Sequence, residues 1–184
     1  MSLRPNPFWE FSILLFADRR VSEACIAIQD RHAAIADVDV NVLMLATWAA
    51  ANGAGALDND QITRAMAVVG PWRRDVVLPL REVRRRLELG VEPVAQEFTQ
   101  TVRSEVLRAE LEAENIEQMM LVELIGRPSR AVTATHATAD AATSFARYFA
   151  LLHIQATPDD DRDLARILAA AFPDRRARRE PSGE

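Results

Sequence analysis

The single cysteine, Cys25, falls on one helical face with Gln29 and His32, and a thiol beside an imidazole is the pairing of an activated nucleophile. The seven-residue separation of Cys25 and His32, however, is about 10 Å of helix at the standard rise. That is beyond hydrogen-bond reach. Cys25 is therefore expected to be a small buried hydrophobe, and no catalytic residue is assigned. Metal chemistry has as little support. The histidines, His32, His136 and His153, are far apart, and there is no H-E-x-x-H, no paired cysteine and no E-x-x-H. Asp159, Asp160 and Asp161 suit the first turn of a helix, where the backbone dipole favours negative charge. Gly53-Ala54-Gly55 lacks the further glycine and basic residue of a phosphate loop. No metal and no cofactor are expected.

The polar residues of most interest lie on the most apolar segment, VDVNVLMLATWAAANG. Asn41, Leu45 and Trp48 project from one side of it. A buried asparagine must find partners for two donors and an acceptor. Two readings follow. In the simpler one Asp39 caps the helix and Asn41 ties neighbouring elements together. In the other, Gln29, Asp39, Asn41 and Trp48 form a small polar ligand-binding pocket.

Arg73, Arg74, Arg81, Arg84, Arg85 and Arg86 make the densest basic stretch, and the segment after Gly90 is strongly acidic, from Glu97 to Glu123. Charge pairing across that reversal accounts for both. No aromatic residue interleaves with the arginines as stacking on bases requires, and the net charge of -5 is opposite to that of a nucleic-acid binder. Nucleic acid is not an expected partner.

The elements that must position these residues are helices. Asn6-Pro7 reads as an N-cap with proline at the first helical position, with Trp9, Ile13 and Phe16 on one face. Ser22 reads as the cap of a second helix ending near Ala34. Asp39, or Asp37, can cap the third, which Gly53 can end in the left-handed conformation. Its apolar residues point nearly all round, so it is expected at the centre. Asp58 and Gln61 suit a capping box for a helix stopping at Gly70-Pro71. Trp72, Val76, Leu80, Val83 and Leu87 form the next stripe, placing Arg74, Arg81 and Arg85 on the opposite side. Pro79 should kink or split that helix. Residues 93–125 contain no glycine and, after Pro93, no proline. They permit one helix of about 50 Å with an apolar stripe from Phe98 and Val102 to Met120 and Leu124. Residues 129–138 read as a long loop, 140–154 as a helix, and Thr157-Pro158 as the start of the last one, ending near Phe172.

These elements predict an all-α, single-domain helical array of about seven helices, one of them long, over residues 1–173, with a disordered polar tail at 174–184. Of the 184 residues, 49% are hydrophobic and 27% charged, as in ordinary globular proteins. One cysteine permits no internal disulfide and fits a reducing compartment. No apolar run approaches the roughly 20 residues that span a bilayer. A cytoplasmic protein with no membrane partner is expected.

The first 50 residues carry a specific pattern: Trp9-x-Phe11, Ala24-Cys25 with Gln29-Asp30, Asp39-Val40-Asn41 with Leu43, and Trp48. It resembles the proteobacterial family called domain of unknown function 2390, whose members read W-x-F, A-C-x-x-L-Q-D and D-V-N-L-L before a tryptophan. Here Ala27 and Ile28 replace bulkier residues, and residues 31–38 form a longer insert before Asp39. The resemblance implies an all-helical bacterial cytosolic protein and no particular activity. The expected function is that of a non-enzymatic interaction or regulatory module, with a protein partner or a second copy meeting the long helix at 93–125. The alternative is a small-molecule-binding protein or enzyme using the pocket at Gln29, Asp39, Asn41 and Trp48.

Overall fold

The computed structural model describes residues 6–125 and 132–173, and among them every regular element is helical. The order is α1 (Pro7–Phe16), α2 (Arg19–His32), α3 (Val40–Ala51), α4 (Asn59–Trp72), a π turn (Arg73–Val77), α5 (Leu78–Glu88), α6 (Gln96–Val122), α7 (Ala134–Leu151) and α8 (Pro158–Ala171). Because α4, the π turn and α5 run on without a break, the described residues form seven helical rods. The tail expected at 174–184 lies outside the described residues.

Most caps are where the sequence puts them. The side chains of Asn6, Asp39, Asp58 and Thr157 accept from backbone N–H groups of α1, α3, α4 and α8, and the last two complete capping boxes. Asp18, not Ser22, caps α2. Asp18 sits in extended backbone and takes the Arg20 N–H, so Arg19 and Arg20 begin the helix instead of breaking it. Thr133 caps α7, so residues 134–138 are its first turn and not loop; the run of threonine and alanine is compatible with helix once a cap starts it. At the far end of α3, Gly53 (φ 79°) is the left-handed residue. Gly53 and Ala54 donate to the carbonyls of Ala50 and Ala49, closing the helix as a Schellman motif. His153 (φ 55°) does the same for α7.

The core forms around α3, where Asn41 through Ala50 are all buried. Leu43, Met44 and Leu45 meet Phe145 and Tyr148 of α7 and Ile167 of α8 in one cluster. Full burial of such side chains contributes about 1.5–3 kcal/mol each. Helix α2 packs on α8, and α5 lies along α6. The acidic start of α8 serves the first contact. Asp160 accepts from Arg31 and lies 3.0 Å from His32 Nε2, while Asp163 accepts from Arg31 at 2.6 Å. Burial works to raise the Asp160 pKa, but bonds from Thr157, His32 and Arg31 hold it below the ordinary carboxyl value.

Three expectations fail in the middle of the chain. The α4 rod does not stop at Gly70-Pro71. Pro71 forfeits one backbone bond, yet Trp72 donates its indole N–H to the Ala113 carbonyl at 3.0 Å and Val77 is fully buried, so packing carries the rod onward. Pro79 has no N–H for the Asp75 carbonyl and its ring crowds that oxygen. The backbone widens before it, and Leu78 N–H reaches back five residues to Arg73 O. That extra residue turns the following side chains by about 100°. Arg81 consequently points at α6, and Val83 is 48% exposed. The long helix is shorter than 93–125, with 27 residues or about 40 Å. The chain reverses at Gly90 (φ 80°), a further turn occupies Val91–Val94, and Ala95 stands as the N-cap.

Candidate functional site

Where α1, α2 and the start of α3 face the π turn, α5 and α6, they leave a cleft of about 550 Å³. That lies within the range of small-molecule sites. Trp9, Ile13 and Phe16, the stripe on α1, form one apolar wall, and Leu107 and Leu111 of α6 form part of another. The polar floor comes from Gln29, Asp39, Asn41, Arg73, Glu114 and Gln118.

Gln29, Asp39 and Asn41, the first three residues of the expected pocket, thus lie on one cleft. Trp48 does not join them. It is seven residues beyond Asn41, about 10 Å along the helix axis, and its ring packs on Phe8 at 5.6 Å between centroids. Gln29 Nε2 donates to the Val38 carbonyl at 3.0 Å, pinning the segment before α3. Cys25 is buried in the cleft wall and desolvation pushes its thiol up to about 12, so it holds no thiolate at neutral pH. His32 faces Asp160 instead.

Under the floor lies a continuous hydrogen-bonded chain. Gln118 Nε2 donates to Asn41 Oδ1 at 2.7 Å, and Asn41 Nδ2 donates to Glu117 Oε2 at 3.1 Å. Asp39 Oδ1 accepts from Asn41 N at 2.9 Å and from Arg73 Nη1 at 3.2 Å. Asp39 N donates to the Tyr148 hydroxyl oxygen at 2.8 Å. Two buried oxygens, Asp39 Oδ2 and Glu117 Oε1, have no N–H or hydroxyl partner, and they are the pair that one shared proton joins. Burial and the adjacent Asp39 push the Glu117 carboxyl up to about 10, so Glu117 carries that proton and donates to Asp39. Asp39 is both the cap of α3 and the acceptor at the centre of this chain.

The arginines are tied down. Arg73 grips Asp37 through Nε and Nη2, both at 2.7 Å. Arg81 Nε donates to Glu110 at 2.9 Å and its Nη2 to Glu114 at 2.5 Å, while Arg84 Nε donates to Glu110 at 2.5 Å. This is the expected pairing between the basic and acidic segments, except that Arg81 faces inward. Burial works to raise Glu110, but Arg84 and Arg81 hold it below the ordinary carboxyl value. Glu114 goes the other way, because burial, helped by Glu110 and Asp39, outweighs Arg81 and raises it.

Sequence reasoning missed Arg73, Glu117, Gln118 and Ser12. Glu110, Glu114 and Gln118 recur every fourth residue, which is one face of a helix, but a polar row on an acidic helix reads first as a solvated face. Among the described residues no group of three or more His, Cys, Asp or Glu is arranged to hold a metal ion, and no helix is long and apolar enough to cross a membrane.

No curated protein and no solved structure matches the chain. The family described as protein of unknown function (DUF2390) matches residues 7–121. That stretch spans every side chain lining the cleft, from Trp9 to Gln118. Trp9, Cys25, Gln29, Asp39 and Asn41, which carry the resemblance noted in the sequence, lie together on its walls. The chain belongs to this family of unknown function.

Proposed function

We propose that the protein is a small-molecule-binding protein and that the cleft between α1, α2, α5 and α6 is its binding site. The observation that carries this reading is the convergence of an aromatic and aliphatic wall with a fixed polar floor in one concavity of about 550 Å³. A concave apolar pocket with a few oriented polar groups is the usual form of such a site. The floor suits binding better than turnover, because its cations are consumed by ion pairs and its thiol is neutral. N-phenyl-1-naphthylamine, an uncharged aromatic fluorophore, should bind saturably at one site per chain. Leu111→Trp, which fills the cleft from a half-exposed position, should weaken it by about tenfold or more, roughly 1.4 kcal/mol. Equal binding to both proteins overturns the reading.

A second reading, association, rests on the other face of the α5–α6 hairpin. Leu89 is 81% exposed, Phe98 62% and Val102 51%. Together with Val94 they make an apolar strip at the end of the hairpin. A second copy is the occupant that matches it, since a two-fold places strip against strip with Glu97, Glu105 and Arg108 of each copy at its edges. Sedimentation equilibrium should show a dimer at high micromolar concentration that Phe98→Glu converts to monomer. A wild-type monomer throughout removes this reading.

A further inference from the structure

Four buried side-chain oxygens have no hydrogen-bond partner among the described residues: Ser12 Oγ, Asp39 Oδ2, Glu117 Oε1 and Gln118 Oε1. The shared proton of Glu117 satisfies two of them. Ser12 and Gln118, each 2% exposed, remain, and both line the cleft. The direction of the hydrogen-bonded chain explains the second. Gln118 spends its N–H₂ on Asn41, which orients the Gln118 amide and leaves its carbonyl oxygen as an acceptor in need of a donor. One helical turn before it, Glu114 lines the same cleft and gives Oε1 to Arg81. A buried acceptor without a donor is costly, so this floor favours a ligand that brings N–H groups.

The charges decide what kind. With Glu117 protonated, four carboxylates (Asp37, Asp39, Glu110 and Glu114) surround three guanidiniums (Arg73, Arg81 and Arg84) in connected ion pairs, a surplus of one negative charge. Arg85 and Glu88 at the same cleft are paired with Asp30 and Arg103. An incoming anion would have to take an arginine from a carboxylate that already holds it. An incoming cation meets surplus negative charge and unpaired oxygens.

We propose that the cleft takes an amphipathic organic cation, with an ammonium group on Glu114 and the Gln118 carbonyl oxygen and an apolar body along Trp9, Ile13, Phe16 and Leu111. Ser12 Oγ, on the α1 wall, is the remaining acceptor. Trp9 and Phe16 also suit a cation, since an aromatic face attracts positive charge. The proposal rests on the cleft being a binding site, and the experiment separates the two claims. With N-phenyl-1-naphthylamine bound to the full chain, 2-phenylethylamine, 2-phenylethanol and 3-phenylpropionate compete as cation, neutral and anion on the same phenyl body. The amine should displace the fluorophore at a concentration about tenfold lower than either other compound, the scale of a charge-assisted hydrogen bond. Glu114→Gln and Gln118→Leu should each erase most of that preference. Circular dichroism establishes that both variants fold, and wild type carries the ranking by itself. Glu105→Gln makes the same charge change on the exposed side of α6 and should leave the preference intact. Equal displacement by all three compounds, preference for the anion, no displacement by any, or an equal effect of Glu105→Gln overturns the ammonium site while the fluorophore still reports the cleft. Failure of the fluorophore to saturate overturns the cleft reading and the ammonium site with it.

Discussion

Replacement of Arg73 by methionine should destabilise the protein by about 3–5 kcal/mol, the cost of leaving buried charge without its partner. Arg73 is 4% exposed and holds Asp37 by two parallel bonds and Asp39 by a third. Burial works against its charge, yet the two aspartates raise its pKa above the ordinary arginine value. Methionine keeps much of the stem's packing and removes the charge, so the loss reports on Asp37, Asp39 and the Glu117 proton beneath them. The neighbouring Arg74 forms a comparable bidentate pair with Asp75, but its side chain is 70% exposed. Arg74→Met should therefore cost little by comparison. Urea denaturation of the two variants gives the comparison directly. Similar losses for both would mean that the Arg73 cluster is solvated and does not organise the floor. Since a domain is stable by only about 5–15 kcal/mol, the Arg73 variant should also be visibly depleted in cells.

The second large effect concerns pH. Glu117 in the folded chain titrates at about 10, against about 4.3 for a free glutamate. Between those values the folded state holds a proton that the unfolded state has lost. Stability contributed by this group is therefore complete below the unfolded value and lost as pH rises through the folded one, with a slope of at most about 1.4 kcal/mol per pH unit. Asp37, Glu110 and Asp160 act oppositely. Their folded values are lowered, by Arg73 for Asp37 and, against burial, by hydrogen bonds for the other two. Their contribution is present above the unfolded value and lost as pH falls through the folded one. The sum is a stability maximum on the acidic side of neutral and a decline toward pH 9. Glu117→Gln should flatten that decline, because the amide presents a carbonyl to Asn41 Nδ2 and an N–H to Asp39 Oδ2 without a titrating proton. Denaturation at pH 5, 7 and 9 should show the variant overtaking wild type at pH 9. Parallel pH profiles would rule out the shared proton.

The helices and most of their ends were legible in the sequence because they depend on local chemistry. Asn6-Pro7, Asp39, Asp58-Gln61 and Thr157-Pro158 satisfy orphan N–H groups within three residues of themselves, so their meaning does not wait for the tertiary fold. The burial of α3 followed as directly from its apolar circumference. Within the cleft, Gln29, Asp39 and Asn41 stood out because amides and carboxylates are conspicuous in apolar surroundings. Glu117 and Gln118 did not, because they stand among the many other charged and polar residues of their helix, and only the packing of α1, α3 and α5 against it decides which glutamates lose water. Ser22 misled because a serine beside two arginines looks like a cap, while Asp18, four residues earlier, was already in place to serve.

Arg81 misled for a different reason, and it is the more instructive one. Reading the stripe from Trp72 to Leu87 assumes a constant phase along the rod. The wide turn at Arg73–Val77 is a phase shift of one residue: before it the rod presents Ile62, Ala65 and Val69 to the apolar core, and after it the same rod presents Arg81 and Arg84 to α6. Ordinary α-helix through the same residues would turn both arginines by about 100° and break their pairing with Glu110, whereas deletion of one residue within the turn would remove the bulge and leave the helix on either side facing as it does. The widened turn is thus a one-residue insertion that lets a single rod address two surfaces of different chemistry.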